Sequence, residues 1–97
     1  MAKKTQTELE TAIKKYHVDR NPLTMRQTRL ALKNAGLLAD VETAISNLST
    51  EEKEVAEIEW NYADRVYRSS EWLNNIASEL GLTESEIDDL FYTAHEL

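Results

Sequence analysis

Two glycines and one proline are all the backbone punctuation this 97-residue chain carries. Tight turns between strands need residues that tolerate positive φ, so a chain this poor in glycine has little from which to build hairpins. With alanine, leucine and glutamate abundant, the same scarcity favours helices. The three positions also say where helices stop: Pro22 after a first one, Gly36 at a left-handed position just past another, and Gly81 at the end of a third.

Caps and apolar stripes divide the rest of the chain. Thr5 or Thr7, followed three residues later by Glu8 or Glu10, has the form of a capping box. Leu9, Ala12, Ile13 and Tyr16 then recur at helical spacing, predicting a first helix over about 6–17 that Asp19-Arg20-Asn21-Pro22 stops. Thr24 with Gln27 opens a second helix that runs to Gly36, and Leu38, Val41, Ala44 and Ile45 line one side of a third, from Leu37 to about Asn47. Ser49 with Glu52 starts a fourth over about 50–67, with Val55, Ile58, Tyr62 and Val66 on one stripe and Ala56, Trp60, Ala63 and Tyr67 on another. A fifth covers 71–80 through Trp72, Leu73, Ile76 and Leu80. Thr83 with Glu86 opens a sixth over 84–95 through Ile87, Leu90, Phe91 and Ala94.

The expected fold is all-α, a small irregular bundle of five to six short helices with a helix-turn-helix-like C-terminal pair. The expected organisation is an N-terminal helical arm, 1–23, ahead of a compact helical domain, 24–97. The size suits one core.

Composition excludes several classes of function. There is no cysteine, hence no disulfide, thiolate nucleophile or cysteine-based zinc site. The longest apolar run, Ala35 to Ala39, is far too short to span a bilayer, and no apolar segment of a secretory signal follows the basic opening residues. The net charge of −7 is unevenly spread. Residues 1–33 hold eight Lys/Arg and three acids, 34–70 hold three and eight, and 71–97 hold seven acids and no Lys/Arg. Such polarity suits head-to-tail association or a partner that meets one pole, and argues against nucleic acid over the whole surface.

No catalytic, metal-binding or cofactor-binding set emerges. His17 and His95 have no second ligand at a helical spacing, and Glu84, Glu86, Asp88 and Asp89 lack the glycine and alternation of a calcium loop and are expected on a solvated helix face. Residues 71–94 have the cadence of a helix-turn-helix, but its second helix carries those four carboxylates where a DNA reader needs cations. Arg26, Arg29 and Lys33 share a face of the second helix and form the one basic stripe that could meet an anion.

Trp60, Tyr62, Tyr67 and Trp72 crowd four aromatics into thirteen positions, more apolar surface than a small monomer covers easily. The candidate interface residues are Leu9, Ile13 and Tyr16 on the first helix, with Trp60, Tyr67 and Trp72. The stretches Met25-Arg26-Gln27-Thr28-Arg29-Leu30-Ala31-Leu32, Ala35-Gly36-Leu37-Leu38, Ile58-Glu59-Trp60-Asn61-Tyr62-Ala63 and Leu80-Gly81-Leu82-Thr83, followed by Ile87-Asp88-Asp89-Leu90-Phe91, carry a resemblance. Over about 24–94 the chain resembles short tail-region proteins of tailed bacteriophages and prophages. That resemblance implies a non-enzymatic structural or tail-assembly protein, present in the virion or the host cytoplasm, with a second copy or a phage structural protein as partner. It supplies no catalytic or ligand residues. The alternative is a small acidic inhibitor of a host nucleic-acid-binding protein, its carboxylates standing where phosphates would sit.

Overall fold

The structure, a computed structural model, describes residues 6–97, so a cap at Thr5 lies outside the described residues. It is the small all-α bundle expected, with six helices and one very short sheet among the described residues. The helices are α1 (Gln6–Arg20), α2 (Met25–Asn34), α3 (Asp40–Ser46), α4 (Thr50–Tyr62), α5 (Glu71–Glu79) and α6 (Glu84–Ala94). Strand β1 (Leu23–Thr24) pairs antiparallel with β2 (Arg65–Val66), Leu23 opposite Val66.

Most boundaries follow local chemistry. Thr24 accepts from the Gln27 amide at 3.0 Å while the Gln27 side chain accepts from the Thr24 amide at 2.9 Å. Thr83 and Glu86 repeat the reciprocal arrangement at 3.2 and 3.0 Å. Each box satisfies two amides that a helix start would otherwise leave open. At the other ends, Gly36 and Gly81 sit at φ 75° and 76°. Leu37 donates to the Leu32 carbonyl and Gly36 to that of Lys33, and Leu82 and Gly81 do the same to Ala77 and Ser78, all at 2.8–3.0 Å. Both are Schellman closures, in which the left-handed residue turns the chain so that two amides reach the last carbonyls.

Two boundaries differ from the sequence expectation. The first helix continues one turn further, through Asp19 and Arg20, because Asn21 closes it: its backbone amide and its side-chain amide both donate to the His17 carbonyl, at 3.1 and 2.8 Å. Thr7 is already helical and caps nothing. The fourth helix ends at Tyr62, five residues early, with no glycine or proline to stop it. Here a tertiary contact overrides helical periodicity. Arg29 of α2 donates to the Trp60 carbonyl at 2.7 Å and lies 4.1 Å over the Trp60 ring, while Val66 leaves the helical path to pair with Leu23 and becomes fully buried.

The helices form two groups of three. α6 packs against α1 and α2, α5 packs against α3 and α4, and the β1–β2 pair ties the groups together. Val18, Leu23, Val41, Ile45, Trp60, Val66, Trp72, Ile76, Ile87 and Phe91 fill the shared core with alanines between them. Among the described residues one charged side chain is buried against it, Arg68, which is 6% exposed. Its Nε donates to Asp88 at 2.7 Å, Nη1 donates to Asn74 Oδ1 at 2.9 Å, and Nη2 donates to the Glu84 carboxylate and, at 3.5 Å, its carbonyl. Asn74 returns two bonds, donating to the carbonyls of Arg68 and Ser70. Burial works against the guanidinium charge, but the bonds from Asp88 and Glu84 outweigh it and hold the pKa above its ordinary value. A raised cationic pKa means the stabilisation is complete at neutral pH and is lost only as pH rises beyond the ordinary arginine value.

Replacing Arg68 with Met should therefore cost about 3 kcal/mol in denaturant unfolding, since Asp88 and Asn74 lose their partner inside the protein. Glu84→Gln should cost below about 1 kcal/mol, because Glu84 is mostly exposed. Gly36→Ala and Gly81→Ala should each cost about 1–2 kcal/mol, from the left-handed φ alone, since a Cβ at either position meets nothing within 4 Å.

Candidate functional site

Of the six candidate interface residues, Trp60 and Trp72 are buried in the core and present nothing to a partner. Both are amphipathic residues whose rings the bundle itself covers, so their crowding in sequence reflected packing. Leu9, Ile13, Tyr16 and Tyr67 are exposed. The early end of α4 explains the split between Trp60 and Tyr67, since beyond Tyr62 the chain no longer follows the helical period that placed the two on one stripe.

The exposed surface of α4 is instead the other stripe, Val55, Ile58 and Tyr62, with Ile58 58% and Tyr62 80% exposed. Ala56 and Trp60 turn inward from the opposite side of the helix. α1 shows the same division. Leu9, Ile13 and Tyr16 fall within an arc of about 60°, and Val18, the α1 residue that enters the core, points to the opposite side. Residues 7–13 are all exposed, and Ile13 is 66% so. Single exposed apolar residues are ordinary on protein surfaces. Two helices each presenting three of them at three- and four-residue spacing form continuous apolar strips, the usual mark of a contact surface.

The polar candidates resolve differently. The carboxylates of α6 are not a uniformly solvated face: Glu84 and Asp88 hold Arg68, Asp89 accepts from Lys14 Nζ at 2.7 Å, and Glu86 caps its own helix. The folded chain supplies cations and amides that the linear sequence could not place beside them. Arg29, central to the basic stripe of α2, is committed to Trp60. His17 and His95 do meet, across 78 residues of sequence separation that helical spacing could not see. Their rings stand edge to face at 4.8 Å, Tyr92 lies 5.5 Å from His17, and His95 Nε2 is buried without a hydrogen-bond partner. Among the described residues no group of three His, Cys, Asp or Glu is placed to hold a metal ion.

A small apolar cavity of about 50 Å³ lies in the core between Trp60, Trp72, Ile76 and Phe91. It has room for little more than a water molecule, and apolar walls give a water no partners. Among the described residues no helix is long and apolar enough to cross a membrane. Comparison with protein-family models, curated proteins and solved structures returns no match.

Lys14 marks how α1 is held. Its hydrogen bond to Asp89, ahead of the opposing desolvation and the added charge of that carboxylate, raises its pKa above 10.5. The sign is again that of a raised cation: the tie between α1 and α6 is complete below pH 10.5 and weakens as pH rises through the folded value. Hydrogen exchange should show 7–13 exchanging faster than 87–94 at neutral pH, and Lys14→Met should selectively lower protection in the second half of α1.

Proposed function

We propose that this is a non-enzymatic phage structural or tail-assembly protein that works through protein–protein contact. The observation that carries the reading is the pair of exposed apolar stripes, Leu9-Ile13-Tyr16 and Val55-Ile58-Tyr62, on helices that send Val18, and Ala56 and Trp60, into the core from their opposite sides. Helices are retained in such a form when their outer faces are buried in an assembly, because an apolar stripe left in water gains nothing from the hydrophobic effect. The resemblance to tail-region proteins supplies the setting, a particle or its assembly in the host cytoplasm. A second copy or another particle protein is the partner class.

The acidic-inhibitor reading draws on the seven acids of residues 71–97. Internal partners already occupy Glu84, Asp88 and Asp89, which leaves that face a weaker phosphate mimic. The two readings separate by photo-crosslinking in cells producing the particle, with the crosslinking side chain placed at position 13, 58 or 86. Adducts at 13 and 58 with a tail structural protein or a second copy are the expected result. Adducts confined to position 86, on a basic nucleic-acid-binding protein, would instead establish the inhibitor.

A further inference from the structure

Resting on the reading of a contact protein, we infer that the partner of each stripe is the other stripe on a second copy, with α1 of one molecule lying antiparallel along α4 of the next. The residues of the two stripes match in spacing. On α1 the positions are 9, 13, 16 and 20, separated by four, three and four residues; on α4, read backwards, they are 62, 58, 55 and 51, with the same separations. An antiparallel pair therefore sets Leu9 against Tyr62, Ile13 against Ile58, Tyr16 against Val55 and Arg20 against Glu51. Each set spans an arc of about 60°, a width one helix can cover on another.

Charge selects this pairing over its rivals. α4 carries Glu51, Glu52, Glu54, Glu57 and Glu59 against the single Lys53, so two copies of α4 would repel each other. In the second half of α1, Lys14 is held by Asp89 and Lys15 lies beside Asp19, while Arg20 falls on the stripe, where the antiparallel arrangement brings it to the acidic first half of α4. Arg20 is already laid along the stripe, its guanidinium 4.3 Å over the Tyr16 ring. Two copies of α1 facing each other would cover one stripe and leave Val55, Ile58 and Tyr62 in water, whereas the α1–α4 contact covers both.

The two stripes sit in different three-helix groups, α1 with α6 and α4 with α5. The inferred contact is heterologous: each copy offers α1 to one neighbour and α4 to another, and the assembly closes into a ring or extends as a filament. Three apolar residues a side is a small contact, so single links are weak and the closed or extended assembly gains by multivalency.

Sedimentation velocity from about 10 µM to 1 mM, a range suited to a small interface, tests this at low and high salt. The wild type should pass beyond dimer with concentration at low salt, and less so at high salt. Ile13→Glu and Ile58→Glu should each be monomeric alone, yet an equal mixture should form a heterodimer and stop there, because only one productive α1–α4 contact remains between them. Circular dichroism confirms that these exposed positions leave the fold intact. Arg20→Glu and Glu51→Arg should each weaken association at least about threefold, and the double reversal should restore it. A wild type that stays monomeric at the highest concentration, an Ile58→Glu variant that still dimerises by itself, or a mixture that stays monomeric would each overturn the inference. Crosslinks from positions 13 and 58 to a different tail protein, together with a monomeric wild type, would remove self-pairing while leaving the contact function standing.

Discussion

Arg68 organises the C-terminal half of the molecule. A guanidinium taken out of water destabilises a fold unless its donors are met, and here they are met from Asn74 on α5 and from Glu84 and Asp88 on the first turns of α6. Because those acceptors belong to two different helices, satisfying one residue fixes the start of both. α6 then runs where it can pack on α1 and α2, and α5 where it packs on α3 and α4. The carboxylates involved are also the ones that, read along the chain, make the C-terminal region look like an acidic surface.

The same economy of internal partners explains why the surface shows what it does. Arg29 ends α4 through the Trp60 carbonyl and shields its ring. Lys14 ties α1 to α6 through Asp89. Among the exposed large apolar side chains, those of α1 and α4 recur at helical spacing, as one stripe on each helix. The proposed contact would use these two helical faces of matched spacing, carried on a core built from other residues.

The sequence was informative where structure is local. The boxes at Thr24–Gln27 and Thr83–Glu86 and the closures at Gly36 and Gly81 involve residues three to five apart, so each can be read from a short window. The candidate surface was half legible. Leu9, Ile13 and Tyr16, grouped by one stripe on a short helix, are exposed together. On the fourth helix the period yielded two stripes, and aromatic content favoured the one whose Trp60 went inward, as did Trp72 on α5, while Val55, Ile58 and Tyr62 stayed out.

What the sequence by itself determined is the class of fold, the number of helices and most of their ends, because those depend on propensity, capping and glycine geometry within a few residues. Tertiary structure decided the end of α4, the burial of Arg68, the meeting of His17 with His95 and the choice of outward stripe. Each of these depends on a group distant in sequence, Arg29 or Leu23 at Trp60 and Val66, Asp88 at Arg68, that competes with or satisfies a local preference. A periodic pattern states which faces a helix has, and only the neighbours that pack against it settle which face is left for a partner.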